Sequence, residues 1–423
     1  MSGTTDLTRA ARVAPARLTR GLALFSLVVV ALSYVVNAMD RQVFPVLLPH
    51  VRQEFGFSLS QGGWLATVFT LGIGLAGIPT GFLLDRLSRK TVMLLGIGLY
   101  SAFTVLTALA VGYGDMFVYR ALSGVGEAMQ NAALFSAVGA YFFASRALAI
   151  GSLNFAYGLG GFLGPQIGAH LAGSTGEWRT ALWTYGAVGF LFVVLIAVLV
   201  RRGFTEQAEV KTEDGALVRP DVDHLPRTLV NRNTLLLAVA AAAVGLAMYG
   251  YIGLYPTFLQ EELGLSQSQA GLAASMFGLG ALVGLPAGFL GDRLNQRWLL
   301  IAAMVVGCVV GWLIFNGPES AGAQYVLSFG EGALASGFCF VNIYSALQRS
   351  VHPDLIGRAS GVFVSSFYVP AAFAGTLFAH LVDSAGWGGA GFWQLAVLPL
   401  LGVAAMLFVD MSRQARVRTV RTH

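Results

Sequence analysis

The sequence predicts an all-α membrane protein of twelve transmembrane helices arranged as two pseudo-symmetric six-helix bundles. Three observations predict it. Of 423 residues, 56% are hydrophobic and 11% charged, against about 25% charged in an ordinary soluble domain. The apolar runs are about 20 residues long between short polar or glycine-containing breaks, the length of a spanning helix and about twice that of a barrel strand. Finally, Gly81-Phe-Leu-Leu-Asp-Arg-Leu-Ser-Arg-Lys90 returns as Gly288-Phe-Leu-Gly-Asp-Arg-Leu-Asn-Gln-Arg297. Asp85 and Asp292 thus stand 207 residues apart, and the same offset from Glu127 reaches position 334, within a turn of Glu331. A repeat with matched intramembrane acids reads as a duplicated unit.

In order, residues 1–19 form a polar, Arg-bearing tail. Helix 1 is expected from Gly21 to Leu48, with Pro45 and Pro49 bending or closing its outer end. That run exceeds the 7–15 residues of a signal-peptide core and no small-residue cleavage site follows it. Helix 2 covers Gln61 to Leu84 and helix 3 Thr91 to Val111. Asp115, after the tight turn Gly112-Tyr-Gly, is read as the N-cap of helix 4, Met116 to Tyr141. Helix 5 is Ala147 to Ala172 and helix 6 Glu177 to Val200, completing an N-terminal bundle over 20–200. Residues 201–232, with Pro220, Pro226 and mixed charges, read as a cytoplasmic linker. Helices 7 to 12 occupy 233–260, 267–290, 298–316, 321–349, 358–382 and 388–410, a C-terminal bundle over 233–410, and an Arg-rich tail over 411–423 closes the chain.

The net charge of +5 is distributed by topology. With the amino terminus inside, 22 of the Lys and Arg residues fall on inner segments, while the outer loops hold Arg52 and Arg179. This asymmetry places both termini in the cytoplasm. Arg41 and Arg120 remain inside spans. Cys308 and Cys339 lie in apolar runs with no partner spacing and read as buried small hydrophobes. Glycine, at 53 residues, suits close helix packing in lipid, and Gly160, Gly164 and Pro165 supply packing and a bend in helix 5.

The candidate site starts from Asp40 and Arg41 in helix 1, because a charge at the centre of a span costs roughly 2.5–3.5 kcal/mol and has to face protein or water. On helix 4, Arg120, Gly124, Glu127, Gln130 and Asn131 share one face, and a polar stripe in lipid has to point inward. Burial favours a neutral Glu127 and a nearby guanidinium favours its carboxylate, so its charge depends on where its partner is. Pairing of Arg41 with Glu127 or Asp40, broken by a proton, would free the guanidinium for a substrate carboxylate. The structural alternative is a permanent ion pair pinning helix 1 to helix 4.

Asn37 lies within reach of Asp40 and Arg41, and Tyr34 is a further turn back, as cavity lining or packing. Asn154 and Tyr157 of helix 5 are further candidate lining groups. Glu331 and Asn342 share a face of helix 10, Glu331 as a second polar contact or as a buried neutral acid. Tyr251 and Tyr255 with Pro256 in helix 7 read as a bendable outer gate or as an aromatic packing stripe. Arg86, Lys90, Arg293 and Arg297 read as solvated topogenic charges. No Walker loop, metal-ligand cluster or nucleophile triad is present, so neither catalysis nor ATP-driven pumping is supported, and no cofactor is expected beyond the proton as coupling ion.

Three motifs resemble the major facilitator superfamily over essentially the whole chain: Gly-x-x-x-Asp-Arg-x-Ser-Arg-Lys at 81–90, Arg120-x-x-x-Gly124-x-Gly126, and Gly160-x-x-x-Gly164-Pro165-x-x-Gly168. Asn37-Ala-Met-Asp40-Arg41 with Arg120-Ala-Leu-Ser-Gly-Val-Gly-Glu127 is similar to the anion:cation symporters and also to the spinster-type lipid transporters. The former resemblance implies that Arg41 holds a substrate carboxylate and that Asp40 and Glu127 carry protons. It also implies a latch role at the inner surface for Asp85 and Arg89, and a gating place for Arg120. The implied function is proton-coupled symport of a small organic anion, such as a sugar acid or aromatic acid, by alternating access. The protein would work as a monomer in the lipid bilayer of a bacterial inner membrane. Alternatives are transport of a lysolipid or other amphiphile, and proton-driven drug or metabolite efflux.

Overall fold

The computed structural model describes residues 18–206, 210–211, 217–218 and 224–415. Most of both tails and much of the 201–232 linker lie outside the described residues. Among the described residues ten helical segments are long and apolar enough to span a bilayer, the last of them the 56 residues Pro353–Phe408. At about 1.5 Å per residue that segment is more than twice the roughly 30 Å hydrocarbon core. It divides at Gly386, whose φ of 73° only glycine adopts freely, into helix 11 (356–385) and helix 12 (387–408). Helix 4, Tyr113–Tyr141, is less apolar than these because Arg120, Glu127, Gln130 and Asn131 lie along it, and it is not among the ten. Counting both gives twelve crossings.

Helices 1 to 6 are Arg20–Phe55, Leu59–Arg86, Arg89–Ala108, Tyr113–Tyr141, Arg146–Thr175 and Arg179–Leu199. Helix 7 is Arg232–Glu261, helix 8 is Gln267–Ala281 continued by Gly284–Arg293, helix 9 is Gln296–Asn316, and helix 10 spans Ala321–Arg349 with a π-helical centre at Gly332–Phe340. The linker contributes a turn of helix at Arg202–Thr205 and a two-residue antiparallel pair, Val210–Lys211 with Leu217–Val218.

Helix 1 does not close at its prolines. It runs 36 residues through Pro45 and Pro49 and ends on Gly56, whose φ of 67° makes a left-handed cap. Each proline removes one backbone donor, but leaving the helix at that depth would strand several unbonded groups, so the helix continues past them. At helix 4, Gly112 is the cap residue. Asp115 lies at the third helical position, where its carboxylate accepts the N–H groups of Val111 and Gly112 at 2.6 and 3.0 Å.

The halves are packed together at the end carrying the two repeated turns, here called the basic end. Glycines set the distance. A Cβ on Gly361 would lie 2.4 Å from the Gly77 carbonyl oxygen, one on Gly151 2.1 Å from that of Gly284, and one on Gly288 2.1 Å from that of Ala147. Gln348 of helix 10 reaches across to the Phe135 carbonyl of helix 4 at 3.0 Å. Leu225 and Ala415 meet Phe143 below them, with Ala415 N–H on the Arg349 carbonyl at 2.8 Å and His352 N–H on that of Pro226 at 3.1 Å.

This packing predicts that Gly288→Ala weakens closure. Its new methyl meets backbone rather than a yielding side chain, and overpacking of this kind costs about 1–3 kcal/mol. Spin labels across the basic ends of helices 5 and 8 should report a broadened, longer distance distribution. A distribution identical to wild type would show that the helices are not held by this contact.

Candidate functional site

Helix 1 and helix 4 run antiparallel and join through matched polar stripes. Gln130 donates to Ser33 at 3.1 Å, Asn131 to the Tyr34 hydroxyl at 3.0 Å, and Asn37 to Gln130 at 3.0 Å. The zipper ends at the ion pair. Arg41 places Nε at 2.8 Å and Nη2 at 2.7 Å from one oxygen of Glu127, Oε2. The other oxygen, Oε1, is buried with no hydrogen-bond partner among the described residues. The remaining Nη1/Nη2 edge of the guanidinium faces Tyr368 of helix 11, whose hydroxyl accepts from Nη1 at 2.9 Å, and Asn37 Oδ1, a long contact at 3.4 Å. Arg41 is 6% exposed and Glu127 fully buried.

Of the two acids proposed for Arg41, the structure selects Glu127. Asp40 and Arg41 are adjacent and therefore about 100° apart around the helix. Asp40 turns to helix 3, where Thr104 donates to Oδ2 at 2.7 Å, and its Oδ1 is buried without a partner among the described residues. Arg120, expected in a gating place, is buried with its guanidinium carbon 4.2 Å from the ring centroids of both Phe44 and Phe69, a cation–π setting.

Aromatic side chains surround Arg41. Its guanidinium carbon is 5.6 Å from the Tyr157 centroid and 5.3 Å from that of Tyr368. The Tyr157 hydroxyl accepts from Gln42 at 3.1 Å, Tyr34 stands 6.2 Å from Tyr157, and Tyr249 of helix 7 packs edge-on against Tyr368 at 5.9 Å. Thus Arg41, Asn37, Tyr34, Asn131, Glu127 and Tyr157 are brought together. Gln130, named in the helix 4 stripe, joins them, and so do Tyr368, Tyr249 and Gln42, none of which was singled out from the sequence.

Five other candidates sit elsewhere. Asn154 ties the halves together: its amide donates to the Ala281 carbonyl at 3.0 Å and accepts from Ser336 at 3.3 Å. Ala281 ends the first segment of helix 8, so its carbonyl lacks an ordinary helical donor and the amide supplies one. Tyr251 and Tyr255 stack at 4.5 Å and bond to Ser328 and Gln324 of helix 10, a packing stripe within one half. Asn342 bonds the Ala287 and Phe338 carbonyls. Glu331 is buried at the start of the π-helical stretch, its Oε2 without a partner among the described residues.

At the basic end, Asp85 crosses to Arg358 of helix 11. Arg89, expected to share that latch, stays in its own half, bonding Ser136 at 2.9 Å and the Thr205 carbonyl at 3.1 Å. The fuller form of the latch falls on the repeat's second copy. Asp292 accepts the N–H groups of Ala147 and Leu148 at 3.0 and 2.8 Å, covering the amino end of helix 5, and pairs with Arg349. A carboxylate there meets both unbonded donors and the positive end of the helix dipole. Lys90 is not simply solvated, since its ammonium bonds the Ala197 and Val200 carbonyls at the end of helix 6.

Two helical bundles in a membrane, meeting around a buried charged site and closed on one another at one end, define a transporter and not an enzyme. The family model described as Major Facilitator Superfamily matches residues 30–375 and 237–422, and the chain belongs to that superfamily. It is 28% identical to protein spinster of Drosophila melanogaster over 340 residues, 73% of this chain and 54% of that protein, and so spans about half of that relative's length. It is 25% identical to the probable sulfoacetate transporter SauU of Cupriavidus necator over 404 residues, 90% of this chain and 92% of that one. The fold matches the crystal structure of the human organic anion transporter MFSD10 (TETRAN) with a TM-score of 0.72 at 16% identity, covering 91% of this chain and 99% of the other.

Proposed function

We propose that the protein takes up a small organic anion, a monocarboxylate such as a sugar acid or aromatic acid, together with a proton, by alternating access. The observation that carries this reading is the division of labour on Arg41. One edge of the guanidinium is committed to Glu127, while the rest of it meets only neutral groups, the hydroxyls of Tyr368 and Tyr249 and a weak amide contact from Asn37. A cargo carboxylate bonds the remaining Nη1/Nη2 edge in bidentate fashion, the geometry for which arginine is suited.

The need for a proton follows from charge. Around the site Arg41 and Arg120 balance Asp40 and Glu127, while the remaining buried arginine of this bundle, Arg146, lies away from it at the basic end, on the Gly139 carbonyl and the Phe143 ring. An added anion leaves a net negative charge in a low-dielectric interior, which is costly. One proton on Glu127 or Asp40 restores neutrality, so cargo and proton travel together. The likeness to a transporter named for sulfoacetate supports an organic anion as cargo. The chain is read as a bundle over 20–200, a cytoplasmic linker over 201–232 and a bundle over 233–410. It works as a monomer in the inner membrane with both termini cytoplasmic, as the distribution of basic residues suggests.

The test is uptake of radiolabelled sugar acids and aromatic acids into proteoliposomes with and without an inward proton gradient. Saturable uptake of one acid, accelerated by the gradient, is expected. The likeness to spinster supports a second reading, an amphiphile as cargo. Uptake insensitive to hydrophilic acids but competed by a lysolipid would establish that reading and overturn the first.

A further inference from the structure

We propose that Tyr368 is a positioning residue through which closure of the basic end answers to the occupancy of Arg41: its hydroxyl stands on the edge a cargo carboxylate takes, so cargo binding unties helix 11 from helix 1. This rests on the anion reading above.

One face of helix 11 carries the contacts. Arg358 pairs with Asp85, and Gly361 lies against Gly77. Ser365 accepts the Ile78 N–H at 2.9 Å and donates to the Gly74 carbonyl at 2.6 Å. Tyr368 bonds Arg41 at 2.9 Å. These positions are spaced i, i+3, i+7 and i+10, a single stripe along the helix. The first three hold helix 2 and the last holds the charged site, so one rigid element touches both the gate and the cargo edge.

Two local features let the tyrosine respond. Its ring is fixed among Tyr249 at 5.9 Å and Phe367 at 5.0 Å, leaving the hydroxyl bond as the part that cargo exchanges. Pro370 follows two residues later and offers no N–H, so the Ser366 carbonyl lacks its helical donor and helix 11 can bend there. A carboxylate is a stronger partner for a guanidinium than a neutral hydroxyl, so cargo displaces Tyr368. The basic end is then held by Asp85, Ser365 and the glycine contacts without the tie at Arg41, and opening toward that end follows binding.

The experiment uses the full chain in nanodiscs with spin labels at Arg86→Cys and Asp354→Cys, in wild type and in Tyr368→Phe, with glucuronate or 3-phenylpropionate as probes. Acid binding is measured in parallel by calorimetry. In wild type the label distance should be short without acid and lengthen with one of the two. In Tyr368→Phe it should be long already without acid, while affinity for that acid is equal to or tighter than wild type. A variant that stays closed without acid and opens with it as wild type does would overturn the proposal, leaving the tyrosine as packing. A closed variant with affinity weakened by about tenfold or more would also overturn it, making Tyr368 a direct cargo ligand. If neither acid binds wild type, the anion reading fails by itself. The acid-free distance in the variant then still decides the tie: long supports it, short overturns it.

Discussion

Arg41→Lys is expected to abolish uptake, lowering it by roughly a hundredfold or more, while the protein still inserts and folds. Hydrogen bonds to charged groups contribute about 1.5–3 kcal/mol each. In the proposed complex a cargo carboxylate takes two of them from the Nη1/Nη2 edge. Lysine offers one nitrogen where arginine offers a planar fork, and it cannot hold Glu127 and cargo on separate edges. Losing one strong bond and the geometry of the other therefore removes about 3 kcal/mol, roughly two orders of magnitude in affinity.

The fold survives because an ammonium still faces Glu127, so no buried charge is left unpaired. Removing it altogether, as in Arg41→Ala, would cost about 3–5 kcal/mol and confuse stability with function. The measurement is initial-rate uptake in proteoliposomes beside thermal unfolding of the purified protein. Uptake at the wild-type rate in Arg41→Lys would take Arg41 out of the cargo site.

Much of this site was legible because lipid imposes a rule. A polar stripe on a spanning helix has to face inward, which brought Asn37, Arg41, Glu127 and Asn131 together before any coordinates. The rule is silent about tyrosine, an amphipathic side chain at home in apolar runs, so Tyr368 and Tyr249 carried no mark. Their relevance depends on which turn of the C-terminal bundle faces Arg41, a contact spanning 327 residues. Of the two readings of the helix 1 prolines, bending or closing, closing fails for a related reason: the stop signal that holds in water weakens where leaving the helix would strand backbone groups in hydrocarbon. The latch was legible as chemistry but not as address. Both repeats carry the acid, and only the docking of the halves puts Asp292, not Asp85, on the amino end of helix 5.

Glu127→Gln should separate proton from cargo. The amide keeps the shape of the neutral acid and an oxygen for Arg41 but cannot release a proton. With an anion bound, the positive Arg41 is balanced and the site is neutral, as in the protonated wild type. Without one, Arg41 has lost the only charged partner bonded to it among the described residues, and an uncompensated buried guanidinium opposes the return of the unloaded carrier. Net uptake should therefore fall and no longer rise with an inward proton gradient, whereas exchange of internal for external anion, which never passes through the unloaded form, should persist near the wild-type rate. Asp40→Asn is the control. Asp40 bonds Thr104 rather than Arg41, so that variant should leave the Arg41–Glu127 pair in place. Gradient stimulation that survives in Glu127→Gln and disappears in Asp40→Asn would move the proton to the helix 3 side of the site, while stimulation unchanged in both would remove the coupling role from these acids altogether.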